Sequence, residues 1–316
     1  MVAGARRAPV RAVHGRGPNL PAMRAAIVSN AAAGRGRAVH ARDGVRAALA
    51  RAGIDAVDVA LDGPWDEAID AMCAVIAVGG DGTVRAVAGR LAGRRVPLAI
   101  VPTGTENLAA RAFGFRVGAD RLAAAVRDGS TRRVDLGVIR RPGMREHRFV
   151  VMASAGFDAD VVAALHAARR GPISHASYLG PIVRTAWRWR APEVTVCGAG
   201  GEASVRWCGG LVVANAPEYA LRLNPARGAD PADARLDAVA LRCRSALGVI
   251  GWFVRLAVAG PGRAAGLGRD HAWHLRWDRP VHLQADGDPV PGGPTAEAEV
   301  EVLPGALALL DVRPAA

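Results

Sequence analysis

The chain contains no lysine, and all 41 of its basic residues are arginine. That absence excludes a Gly-Lys-Ser/Thr phosphate loop and any Schiff-base or kinase-type lysine. Phosphate charge has to be met by arginine, by backbone N–H groups or by a metal. Cysteine is scarce: Cys73, Cys197, Cys208 and Cys243 are scattered, with no Cys-x-x-Cys pair, which fits reduced thiols rather than a disulfide framework or a zinc site. Aromatic residues make up 4% of the chain, and the arginines are spread along it. Without the aromatic interleaving of a nucleic-acid platform, no nucleic-acid partner is expected. No apolar run approaches the roughly 20 residues of a transmembrane helix. Residues 1–22 hold no apolar signal region, so a cytoplasmic protein is expected, its net charge of +12 suited to an anionic membrane surface.

What is present supports a large core: 316 residues, 51% of them hydrophobic, are enough for two domains. Residues 1–22, rich in Arg, Gly, Pro and Ala, read as a disordered extension or a mis-assigned start, with Met23 as the alternative beginning. The expected division is an α/β unit over 23–133 and an antiparallel β unit over 134–297.

The organising stretch is residues 75–84, Val-Ile-Ala-Val-Gly-Gly-Asp-Gly-Thr-Val. Its apolar, β-branched start reads as a buried strand. Val84, Val87, Ala88 and Leu91 follow at helical spacing, which places Gly79-Gly80-Asp81-Gly82-Thr83 between a strand and a helix N-terminus. Such a loop is either a tight turn or a phosphate cradle. Two further loops share this design. Ser29-Asn30 with Gly34, Arg35 and Gly36 follows a strand at 24–28, and Pro102-Thr103-Gly104-Thr105-Glu106-Asn107 follows a strand at 96–101. Thr105 and Asn107 suit helix capping or phosphate binding equally. Helices are expected over 38–52, from Pro64 through Met72 and over 108–113, with a strand at 57–61. The alternation predicts a mostly parallel α/β sheet with its loops gathered at the carboxyl ends of the strands.

From about residue 132 the texture changes to strand-like runs at 134–139, 149–152, 194–196, 210–214, 236–241 and 282–285, with one or two more over 298–312. They are separated by Gly/Pro turns, as in an antiparallel domain. Helices are expected over 158–169, 177–189 and 245–258, the last packed on the sheet rather than facing lipid. Asp286-Gly287-Asp288 is first of all a hairpin turn, and its carboxylates could also act as a base.

The ordered set Gly79-Gly80-Asp81-Gly82-Thr83, then Pro102-Thr103-Gly104-Thr105-x-Asn107, resembles the diacylglycerol kinase catalytic-domain family, which includes bacterial lipid kinases and sphingosine kinases. Asn30 and Gly34, Asp233-x-x-Leu236-Asp237, and Asp286-Gly287-Asp288 in place of the family's Asp-Gly-Glu support it. The resemblance implies an N-terminal α/β nucleotide-binding domain of the NAD-kinase and phosphofructokinase type over 23–133, completed by 298–316, and a C-terminal β-sandwich for the lipid substrate over 134–297. It implies ATP, with Mg²⁺, in the crevice, and transfer of the γ-phosphate to a lipid hydroxyl at a membrane surface. By matching positions, Asn30, Gly79, Gly80, Gly82, Thr83, Gly104, Thr105 and Asn107 would bind the nucleotide. Asp81 would sit near the transferred phosphate, Asp288 would accept the proton, and Asp230 and Asp233 would belong to a Mg²⁺ segment. The chain departs from the family pattern at Arg85-Ala86, where many members have Asn-Glu, at Leu108, and at Ala232-Asp233-Ala234, where the pattern is Asp-Asp-Gly. Arg85 reads as solvated. The alternatives are a soluble kinase of the NAD-kinase type, or a nucleotide- or lipid-binding member that has lost catalysis. Oligomeric state is open, a homodimer included.

Overall fold

Short apolar runs in the first third of the chain become parallel strands separated by helices. In order they are β1 (Arg24–Ser29), α1 (Arg37–Arg51), β2 (Asp55–Asp58), α2 (Glu67–Asp70), β3 (Ala74–Gly79), α3 (Asp81–Leu91), β4 (Leu98–Pro102), α4 (Leu108–Ala112) and α5 (Ala119–Asp128). The computed structural model describes residues 23–30, 36–65, 67–168, 179–200, 204–259 and 266–312. Residues 1–22, and Gly34 and Arg35 of the first loop, lie outside the described residues. The strands pair in the order β2-β1-β3-β4, all parallel. Every residue of β3 is buried, as helices on both faces require. Leu49 of α1, Val87 and Leu91 of α3 and Leu122 of α5 supply that cover.

Two local expectations shift. The second strand ends at Asp58 rather than reaching Leu61. The helix expected from Pro64 is a single turn at Glu67–Asp70, because Trp65 closes the preceding turn instead, its indole N–H donating to the Ala60 carbonyl at 3.1 Å.

Among the described residues the rest of the chain is antiparallel, with three α-helices: β5 (Thr131–Arg140), β6 (His147–Phe149), β7 (Met152–Ala155), α6 (Phe157–Ala167), α7 (Leu179–Arg188), β8 (Glu193–Gly198), β9 (Val205–Cys208), β10 (Gly210–Ala214), β11 (Leu236–Leu241), α8 (Ala246–Ala259), β12 (Gly266–Asp270), β13 (Ala272–Val281), β14 (Leu283–Ala285), β15 (Asp288–Pro289) and β16 (Thr295–Leu310). A separate sheet runs β12-β11-β10-β7-β14-β15. The remaining strands extend the parallel sheet to ten through β16, which touches β4 in parallel at Leu309↔Leu98 and pairs antiparallel with β5 and β13. Burial along β16 follows this change of partner. Residues alternate through Val302, where one face meets the core, and then Leu307, Ala308, Leu309 and Leu310 are all buried beside β4. Phe149, Leu211, Val213, Leu236, Trp273 and Val300 fill the space between the sheets.

The run at 149–152, expected as one strand, is divided. Phe149 ends β6 in the large sheet, Met152 begins β7 in the other, and Val150 and Val151 cross between them. The crossing N–H groups, lost to both ladders, are taken by the Asp286 carboxylate. Among the described residues no helix is long and apolar enough to cross a membrane.

Candidate functional site

Because β1, β3 and β4 are neighbours, their carboxyl ends bring three sequence-distant loops to one edge. Ser29 pairs with Val78, and Gly79 pairs with Pro102. The Asn30 N–H reaches the Val78 carbonyl at 3.4 Å, and the Thr103 N–H donates to the Gly79 carbonyl at 2.9 Å. The loops then touch through glycine: a Cβ on Gly104 would stand 2.6 Å from the Gly80 Cα, far inside van der Waals contact. Helix α3 opens directly on this edge, with Gly80 extended at its N-cap. The N–H groups of Asp81, Gly82 and Thr83 therefore have no partner within the helix, and the positive end of its dipole faces the loops. Thr83 is buried against Gly79.

Asp81 does not cap its own helix. Its Oδ1 accepts the Ala109 N–H of α4 at 3.1 Å. Burial pushes its carboxyl up to about 7, the neighbouring Asp286 charge adds to the effect, and the N–H groups of Ala109 and Leu108 and the Arg111 guanidinium oppose it. Asn107 makes no side-chain cap to α4. In left-handed conformation at φ 52°, its amide folds back on the Gly104 peptide, accepting that N–H at 2.8 Å and donating to its carbonyl at 2.9 Å. The turn is thereby held shut, and Thr105 stands exposed at its tip.

Asp286-Gly287-Asp288 forms the expected two-residue hairpin, with Ala285 opposite Asp288 and both turn residues at positive φ, 50° and 87°. The two carboxylates have separate fates. Asp286 is buried and accepts three backbone N–H groups, from Val150, Val151 and Met152, at 2.7, 2.8 and 3.1 Å. Asp288 reaches the 79–83 loop: a Cβ on Gly82 would lie 2.6 Å from its Oδ2. The same oxygen accepts Arg85 Nη2 at 2.9 Å. Arg85, expected to be solvated, is instead held between Asp288 and His147, whose Nε2 lies 2.8 Å from Nη1. One turn of α3 beyond Gly82 carries its guanidinium into that gap. Arginine only donates, so the His147 Nε2 is the acceptor and the ring is neutral. Burial, with the Arg85 and Arg141 charges, pushes the imidazole down to about 4.

The segment proposed for Mg²⁺ is closed by its own backbone and by arginine. Asp230 Oδ1 accepts the Ala232 N–H at 3.1 Å, and Asp233 Oδ1 accepts the Arg235 N–H at 3.0 Å. Arg269 lies 3.8 Å from Asp233 Oδ2 and 3.0 Å from Asp237 Oδ1. A guanidinium thus sits where a cation would, and among the described residues no three acidic, histidine or cysteine side chains converge on a metal position. These residues do not fit a bound Mg²⁺. Ala234 holds φ 58°, the conformation that the glycine of the family pattern would adopt freely, and its N–H is fixed by buried Asp135 at 2.8 Å.

Residues 24–139 match the diacylglycerol kinase catalytic domain. Over 140 residues the chain is 36% identical to a diacylglycerol kinase of Mycobacterium tuberculosis, covering 42% of this chain and 45% of that one. Over 172 residues it is 33% identical to a Pseudomonas aeruginosa protein named "Probable lipid kinase YegS-like", covering 53% and 50%. The matches therefore span about half the length of these curated relatives. In fold the likeness is wider. A Bacillus anthracis diacylglycerol kinase structure superposes with a TM-score of 0.66 at 19% identity, covering 92% of this chain and 97% of that one.

The parallel-sheet region is joined to the second sheet by side chains that the sequence reading missed. Arg111 of α4 donates to Glu218 at 2.8 Å and to the Tyr219 carbonyl at 3.0 Å. The Tyr219 hydroxyl donates to Asp158 at 3.0 Å, and Ser154 shares that carboxylate. Gln284 donates to Ser154 at 2.6 Å and accepts the Gly287 N–H at 2.9 Å. A continuous polar chain thus runs from the third loop to the Asp286–Asp288 hairpin. Burial pushes the Asp158 carboxyl up, against the Ser154 and Tyr219 hydrogen bonds. No short motif marks these residues, because they come from four separate stretches of the chain.

Proposed function

We propose that the chain is an ATP-dependent lipid kinase, transferring the γ-phosphate to a lipid hydroxyl at a membrane surface. The observation that carries this reading is the meeting of Asp288 with Gly82 across 206 positions of sequence (288 − 82). It puts a carboxylate beside the helix N-terminus best suited to phosphate. The edge fits a nucleoside triphosphate: three N–H groups at the start of α3, glycines that let backbone approach closely, and an arginine one turn on. ATP supplies the transferable phosphoryl group. Asp288 takes the proton of the acceptor hydroxyl, and the hydroxyl oxygen bonds to the γ-phosphorus as the bond to the ADP oxygen breaks. Arg85 holds Asp288 in place while the site is empty of phosphate, and turns its donors toward the γ-phosphate when ATP arrives. Asp81 ties α4 to α3 and so fixes the two loops against each other.

The test is incubation of the purified protein with γ-labelled ATP and a total lipid extract. Label is expected in the organic phase, and Asp288→Asn should remove it without removing nucleotide binding. Label that survives this change would overturn the role of Asp288. Tight ATP binding with no transfer across a broad lipid panel would favour the binding-only reading, for which the Arg85–Asp288 pair is the structural argument.

A further inference from the structure

Helix α8 is apolar on both sides. Its inner side packs in the usual way: Ala246, Val249 and Leu256 are buried, and Phe253 stacks on Tyr219 with ring centroids 5.7 Å apart. Its outer side shows Leu247 at 78%, Val254 at 57% and Val258 at 84% exposure, with Ile250 also exposed. Recurring every three to four residues, these form one stripe along the helix. α7, which packs against α8, adds Val183 and Trp187 one turn apart, Trp187 at 87% exposure. Neither the expected sheet-packing role nor any contact among the described residues uses this stripe.

Charge decides what covers it. Between Asp160 and Glu193, and again between Asp237 and Asp270, the sequence has no acidic residue. The only charged groups of α7, α8 and their flanks are arginines, with Arg184, Arg242, Arg244 and Arg255 exposed. A second copy on this face would set arginine against arginine with no counter-charge. An apolar stripe edged by guanidinium groups matches a surface that is apolar within and anionic at its rim.

We propose that the outer face of α7 and α8 docks on an anionic lipid bilayer, with Leu247, Val254, Val258 and Trp187 entering the acyl boundary and the flanking arginines meeting lipid phosphates. The proposal deepens the lipid-kinase reading and rests on it for its purpose. Phe253 and Tyr219 join the docking helix to the third loop, so the same contact turns the site toward its acceptor.

Sedimentation with vesicles, in the absence of ATP, tests it. The protein should bind vesicles of equal parts phosphatidylcholine and phosphatidylglycerol at least about tenfold more tightly than phosphatidylcholine alone, and high salt should reduce the difference. Tryptophan emission should shift to the blue on binding, and Trp187→Phe should remove most of that shift. Leu247→Glu with Val254→Glu should abolish vesicle binding while transfer to a micellar short-chain acceptor persists, which keeps a docking failure apart from a catalytic one. If that double variant also loses its circular dichroism, Arg242→Gln with Arg255→Gln must still weaken anionic-vesicle binding by about tenfold. Equal binding to both vesicles, unchanged binding by the variants, or a dimer dissolved by the double variant would overturn the proposal.

Discussion

Two aspartate–glycine turns meet at the site, and they are built on opposite terms. Asp81-Gly82 sits at the end of a parallel strand, where chain direction alone delivers a helix N-terminus and its free N–H groups. Asp286-Gly287 sits in a hairpin of the other sheet, where Asp286 is consumed by three N–H groups of the 150–152 crossing and only Asp288 looks outward. Asp81 is likewise spent on α4. Three carboxylates within a few residues of a glycine thus do three different things: one caps a distant helix, one replaces lost sheet hydrogen bonds, and one faces the loop that would hold phosphate. Identical residue types acquire their roles from their neighbours.

That contrast is sharpened most by Asp288→Asn. It should lower phosphoryl transfer by roughly 10²–10⁴-fold, while the unfolding midpoint moves little, because asparagine keeps an acceptor for Arg85 Nη2. Comparable loss of stability and activity would place Asp288 with the structural carboxylates. Asp286→Ala should do the reverse. Leaving the N–H groups of Val150, Val151 and Met152 without an acceptor should cost about 3–5 kcal/mol in denaturant unfolding, and a loss below about 1 kcal/mol would refute the crossing argument.

Asp81→Asn separates the first turn from both. The raised carboxyl means that the folded chain holds its proton between about pH 4 and 7, where the unfolded chain has released it. Its stabilising contribution is therefore full below about pH 4 and is lost as pH rises through 7. Asparagine keeps the Ala109 hydrogen bond without that loss. Unfolding curves should coincide near pH 4 and diverge in favour of the variant by on the order of 2 kcal/mol at pH 8. Coincidence at all pH values would show that Asp81 is ionised throughout. The smallest effect belongs to Ala234→Gly: with φ at 58°, glycine should add about 1 kcal/mol of stability and, with Arg269 still on Asp233, should create no Mg²⁺ affinity by titration calorimetry.

Much of the first region was legible because its signals are local. Apolar runs at 24–28, 75–79 and 96–101, each ending in small residues, announce parallel strands with loops at one edge, and the Asp-Gly pair at 286 announces a hairpin. Arg85 was misread for the opposite reason. A guanidinium on an amphipathic helix is ordinarily solvated, and nothing within ten residues reveals that Asp288 and His147 come to meet it. The division of 149–152 was hidden likewise, since four apolar residues in a row carry no mark of the carboxylate that lets the chain change sheets.

By itself the sequence determined most of the strands, including the parallel run of the first third, that any phosphate site here would lack lysine, and where glycine permits backbone to approach backbone. These follow from propensity, periodicity and steric size, all properties of neighbouring residues. Only the tertiary structure decided which carboxylate faces the loops, that an arginine stands at the expected metal segment, and that α8 leaves an apolar stripe outside. Each of these depends on burial and on charges brought together from distant segments, and distance along the chain does not encode them.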